Sequence, residues 1–137
     1  MRVLLDTNVV LDVFLDREPH ATHVAQILSQ VVSGSLSAVV GATTVTTIYY
    51  LATRKVGRRA ARELLVSLLQ LTDIAAVNRS VLSEALGSEF NDFEDAVLYY
   101  AGLEAGIAAI ISRDKTGFRS AEIPVFTPLG FLQLTRS

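Results

Sequence analysis

Val3-Leu4-Leu5-Asp6 and Ala108-Ala109-Ile110-Ile111-Ser112-Arg113-Asp114 are two short apolar runs, each followed closely by an aspartate. Runs of this length, bounded by polar residues, read as strands buried on both faces, as in a parallel sheet. Open α/β sheets bind ligands in the crevice beyond the carboxyl ends of their strands, which is where these aspartates are expected. A third acidic stretch, Asn91-Asp92-Phe93-Glu94-Asp95, opens a helical pattern and is expected at the same edge. Two carboxylates ~4 Å apart repel by about 4 kcal/mol at an effective dielectric of ~20, so protons or a divalent cation must compensate.

Working outward, short apolar runs alternate with longer amphipathic ones, the pattern of βα units. Residues 2–6 read as the first strand, followed by a short helix from Val9 to Phe14. Pro19 opens a helix from His20 to Val32, with Val24, Ile27, Leu28 and Val31 on one face and Gly34 beyond its end. Ser37 to Gly41 is a second strand. Thr43 or Thr44 is expected to cap a helix running to Lys55, Gly57 breaks it, and 58–70 continue as another. A brief strand at Asp73–Ala76, a helix at 80–87, a strong helix from Asp92 to Ala105, strands at 108–112 and 125–126, and a last helix from Pro128 complete the reading. The expected architecture is a three-layer α/β/α sandwich, one domain over 1–137, with a central parallel sheet of four to five strands.

Composition narrows the function classes. The chain has no cysteine, which excludes disulfides and thiolate chemistry, and its two histidines, His20 and His23, make a histidine-rich zinc site a poor fit. The first residues enter strand-like sequence at once rather than a signal peptide, and apolar stretches stop short of the ~20 residues that span a membrane. A cytoplasmic protein is expected. The net charge of −2 argues against nucleic acid only on average. Arg54, Lys55, Arg58, Arg59 and Arg62 are clustered, and Arg113, Lys115 and Arg119 flank Asp114, so local patches could hold a phosphate backbone. The plain alternative for residues 54–62 is a solvated helix face.

Each acid also has a plain structural reading. Asp6 could simply cap the helix after it, as could Thr7 or Asn8. Asp92 and Asp95 have capping-box spacing, and both favour the positive end of a helix dipole. Asp114 could be a turn aspartate supported by Gly117. The joint placement of all of them at one edge is what points to a cation site.

The order Leu5-Asp6-Thr7-Asn8-Val9, Thr44-Val45-Thr46-Thr47-Ile48-Tyr49-Tyr50, Asp92-Phe93-Glu94-Asp95-Ala96 and Ile110-Ile111-Ser112-Arg113-Asp114-Lys115 resembles the PIN domain family, which includes the VapC ribonuclease toxins. The resemblance implies hydrolysis of RNA phosphodiesters with Mg2+ or Mn2+. By position it implies Asp6, Asp95 and Asp114 as catalytic metal-binding acids, Asp92 as a further ligand through water, and Asn8 and Ser112 as polar groups that orient carboxylates or substrate. Arg54, Lys55, Arg58, Arg113 and Lys115 are the residues expected to position the RNA backbone. A small antitoxin protein and a homodimer are the implied protein partners, with Ile48, Tyr49, Tyr50 and Leu51 as an apolar contact surface.

One position departs from the family pattern. Thr47 stands where such proteins usually carry a glutamate, and the whole segment from Thr44 to Tyr50 contains no acid. A hydroxyl cannot neutralise a dication, so metal affinity should fall, and a PIN-like protein that binds RNA or a protein without cleaving is the competing reading. Two other classes fit poorly. A phospho-accepting receiver domain needs a mid-chain aspartate, whereas Glu63 is the one acid between Glu18 and Asp73; a haloacid-dehalogenase phosphatase needs an aspartate where Asn8 stands.

Overall fold

The computed structural model describes residues 1–135. Its elements run β1 (Arg2–Leu5), α1 (Thr7–Phe14), α2 (His20–Val32), β2 (Ser37–Gly41), α3 (Ala42–Val56), α4 (Arg58–Leu71), β3 (Asp73–Ala75), α5 (Arg79–Leu86), α6 (Phe93–Glu104), β4 (Ala109–Ile111), a 3-10 turn (Lys115–Phe118), β5 (Val125–Phe126) and α7 (Pro128–Thr135). The five strands form one wholly parallel sheet in the order β3-β2-β1-β4-β5.

Side-chain alternation along the central strands builds the layers. Val3, Leu5, Ala38, Val40, Ala109 and Ile111 point to one face, where residues of α1, α2, α3, α4 and α7 cover them. Leu4, Val39 and Ile110 point to the other, covered by α5 and α6. Both faces are therefore dry, which is why the strands read as unbroken apolar runs. The expected α/β/α sandwich with a central parallel sheet is the observed one.

Helix α3 begins differently from the sequence expectation. Its N-cap is Gly41, in extended conformation with no side-chain cap, and neither Thr43 nor Thr44 caps it. A Cβ on Gly41 would lie 2.5 Å from Leu98 Cδ1, so any larger residue at the end of β2 would have to displace the tip of that leucine on α6. Thr44, left inside the helix, is buried and its hydroxyl meets that of Thr7 at 3.0 Å. Ile48 is fully buried in the core, so it cannot belong to an exposed contact surface; Tyr50 and Leu51 remain exposed. No described helix is long and apolar enough to cross a membrane.

Candidate active site

Strand register creates the centre of the site. Leu5 pairs with Ile111, and the Asp6 N–H donates to the Ile111 carbonyl at 3.0 Å, so the residues just beyond β1 and β4, Asp6 and Ser112, meet where the strand order reverses. Asp6 caps α1, accepting the Thr7 N–H at Oδ1, and its Oδ2 accepts the Ser112 hydroxyl at 2.7 Å. Ser112 is fully buried. Its oxygen also accepts the Asp114 N–H at 3.0 Å, which fixes the backbone leading to Asp114.

Asp92 caps α6 by accepting the Asp95 N–H, so the first turn of α6 aims Asp95 inward. Asp114 caps the 3-10 turn through the Thr116 N–H and hydroxyl. Gly117 closes the gap between these two acids: a Cβ there would lie 2.7 Å from Asp95 Oδ2 and 3.6 Å from Asp114 Oδ2. Asp6, Asp92 and Asp114 thus each cap an element, which leaves lone pairs on their carboxylates for a second role.

Asp6, Asp95 and Asp114 line one cleft of about 470 Å³, together with Asn8, Thr47 and Glu94. A neighbouring cleft of about 360 Å³ shares Asp95 and Asp114 and reaches Asp92 and Arg119. The electrostatics are those of crowded acids. Burial pushes the Asp95 carboxyl up to about 6, with the charges of Asp6, Asp92, Asp114 and Glu94 adding to it. Burial also raises Asp6, opposed by its hydrogen bonds from Ser112 and Thr7. Asp114 goes the other way, held below the usual carboxylate range by its bonds from Thr116. A group of carboxylates poised at different protonation levels is characteristic of functional sites.

The donor chemistry suits a hard divalent cation, because every available ligand is an oxygen. Asn8 Oδ1 is buried with no hydrogen-bond partner and belongs to a residue lining the same cleft. Among the described residues, no three His, Cys, Asp or Glu side chains converge closely enough to surround one ion. An ion held here would need retained water and the Asn8 amide to complete its shell.

The basic residues are distributed differently from the expectation. Arg54 lies about 16 Å along α3 from Thr43, at 1.5 Å per residue, so Arg54 and Lys55 sit at the far end of that helix from the cleft, and Arg58 opens α4 just beyond it. Arg54 is engaged with Tyr50, its guanidinium donating to the phenol oxygen and lying 5.4 Å from the ring centroid. Lys115, exposed, follows Asp114 directly. Arg113 turns inward and grips Asp12, a fully buried acid of α1, through Nε at 2.5 Å and a second nitrogen at 3.2 Å. Asp12 was not among the expected site residues; the signal for it is an acid set within the apolar run Val9-Val10-Leu11-Asp12-Val13-Phe14.

The chain is 23% identical to ribonuclease VapC1 of Aquifex aeolicus over 96% of its own length and 94% of the relative's. Its fold superposes on a toxin-antitoxin complex chain from Klebsiella pneumoniae (TM-score 0.70, 18% identity, 92% and 97% of the two chains). It also superposes on Mycobacterium tuberculosis VapC20, a sarcin-ricin loop cleaving toxin (TM-score 0.67, 14% identity, 87% and 95%). The model of the PIN domain matches residues 2–116, and the chain belongs to that family.

Proposed function

We propose that this protein is a VapC-like ribonuclease that hydrolyses RNA phosphodiester bonds with a divalent cation, Mg2+ or Mn2+, as the toxin of a toxin-antitoxin pair. The observation that carries this reading is the shared cleft of Asp6, Asp95 and Asp114, in which burial and then the charges of Asp6 and Asp114 raise the proton affinity of Asp95. Asp6, Asp95, Asp114 and the unpartnered Asn8 oxygen would hold the cation partly through its retained water, with Asp92 assisting in the same way. When bound, it supplies the positive charge that a phosphodiester needs to approach four acids and to stabilise its leaving oxygen.

The remaining work falls to the chain's own groups. Ser112 orients Asp6, and Gly117 leaves room for Asp95 beside Asp114. With its carboxyl near 6 in the cation-free protein, Asp95 is the acid whose ionisation a bound cation would favour most. Lys115 stands beside the cleft to meet an RNA phosphate, and Arg54, Lys55 and Arg58 would engage backbone farther along the strand.

The likeness to the Klebsiella toxin-antitoxin complex supports a small antitoxin as partner, and exposed Tyr50 and Leu51 support self-association. The test is cleavage of a mixed single-stranded and hairpin RNA pool with Mg2+, Mn2+ or EDTA, for wild type and Asp95→Asn. Metal-dependent cleavage that Asp95→Asn abolishes supports the reading. RNA binding without cleavage would instead favour the non-catalytic alternative, to which Thr47 in place of an acid lends weight.

A further inference from the structure

Phe93 is the first residue of α6 and stands two positions before Asp95. It is 47% exposed and belongs to neither hydrophobic cluster. Leu82 of α5, 39% exposed, is likewise outside both. Both line the acidic cleft, and Val77 and Val97 extend the apolar surface beside them. The cleft therefore has two unlike sides: threonines from α3, and an apolar shelf from α5 and α6. Capping does not call for an aromatic here, because Asp92 and the Asp95 N–H already make the cap. Core packing does not call for it either.

We propose that this shelf seats a nucleobase next to the scissile phosphate, with the base face against the Phe93 ring, so that the substrate is RNA unpaired at the cut. The proposal rests on the ribonuclease reading and deepens it. A phosphate held through the cation at Asp95 and Asp114 brings its own nucleoside into the cleft that the Phe93 ring also lines. Aromatic side chains bind single-stranded nucleic acid by stacking on such bases. A base inside a duplex has both faces covered by its neighbours and cannot use the shelf. Phenylalanine has no hydrogen-bonding group, so the seat selects an unpaired base without choosing among the four.

The test uses a fixed single-stranded RNA containing all four bases, a set of copies with one abasic position moved along it, and a set carrying fluorescent 2-aminopurine at the same positions. Wild type, Phe93→Ala and Phe93→Trp are compared, with thermal unfolding to verify that each is folded. The expected result is quenching of 2-aminopurine by wild type and Phe93→Trp but not by Phe93→Ala. Phe93→Ala should lose about 10- to 100-fold in kcat/KM, matching the loss from the abasic position in wild type, with no additional loss when the two are combined. Cleavage and quenching indifferent to Phe93 overturn the seat and leave the nuclease reading standing. Phe93-dependent quenching without cleavage keeps the seat and removes the nuclease reading. Absence of both overturns both. If Phe93→Ala changes only the oligomeric state in light scattering, the shelf is a protein contact and the seat is likewise overturned.

Discussion

The Ser112 hydroxyl donates to Asp6 Oδ2 at 2.7 Å and so locks together the carboxyl ends of β1 and β4, the two strands between which the chain reverses its order across the sheet. Removing it in Ser112→Ala leaves Asp6 with the Thr7 N–H as its remaining described donor, while the carboxylate stays buried. The expected cost is about 1–3 kcal/mol of unfolding free energy in urea at pH 7. Asp6 already has a raised carboxyl in the folded state, and losing Ser112 raises it further. The folded state then holds its proton more tightly than the unfolded chain, so the deficit should shrink as pH falls below the folded value. A deficit independent of pH would remove Asp6 as its origin.

Asp95 provides a second pH test. Its folded carboxyl, at about 6, lies above the unfolded value, so its ionisation destabilises the fold: stability falls as pH rises from about 4 to 6 and stays lower above that. Asp95→Asn removes this buried charge, and its repulsion by the neighbouring acids, while preserving shape. Because the side chain is only half-buried, screening leaves about 1 kcal/mol of stabilisation at pH 7 without divalent cation, vanishing near pH 4. Chemical denaturation at both pH values checks it, and equal gains at both would refute it.

Gly117 has no Cβ where one would press on Asp95. In Gly117→Ala the added carbon, 2.7 Å from Asp95 Oδ2, must drive that carboxylate aside, and a flexible side chain can move without unfolding the protein. Mn2+ affinity by calorimetry should fall about 10-fold, as it does when the support of a metal ligand is disturbed, with little change in thermal stability. Unchanged affinity would show that Asp95 does not hold the ion.

Arg113 is expected to behave as a structural residue first. Its partner Asp12 is fully buried, and Arg17, at 3.7 Å, is the other cation near it among the described residues. Arg113→Ala should cost about 2 kcal/mol, less than the 3–5 typical of a wholly buried pair because Arg113 is partly exposed and Arg17 remains. Lys115→Ala should leave unfolding unchanged and weaken RNA binding, with a shallower dependence on salt. An Arg113→Ala protein with wild-type stability would reverse this assignment.

The architecture was legible because Val3-Leu4-Leu5 and Ala109-Ile110-Ile111 are buried on both faces, and no solvent-facing residue interrupts either run. Asp6, Asp95 and Asp114 were legible as a group because strand ends and a helix start bring residues distant in sequence to one edge. Roles that depend on packing were not. Helix α3 starts directly at the end of β2 with Gly41 as its cap and Thr44 buried inside it against Thr7, a contact between distant segments, and Arg113 turns inward because Asp12 waits in the core. The exposed ring of Phe93 is invisible in a pattern where an aromatic between two acids reads as an ordinary helix start.

Thr47 is the position from which the balance of charge can be changed most directly. It lines the cleft from α3 with an exposed hydroxyl, and no acid occupies the first turn of that helix. In Thr47→Glu a further carboxylate joins a cleft that already crowds its acids, so without divalent cation the protein should lose up to about 1 kcal/mol of stability at low salt. With Mn2+ the sign reverses, because the new charge attracts the ion from a favourable side. Calorimetry should then show about tenfold tighter binding, equivalent to about 1.4 kcal/mol, and cleavage should reach its maximum at lower metal concentration. Thr47→Gln, equal in size but neutral, should do neither. If Glu and Gln variants bind the metal alike, the side chain at 47 does not face the ion, and the lack of an acid at this position is not what limits the site.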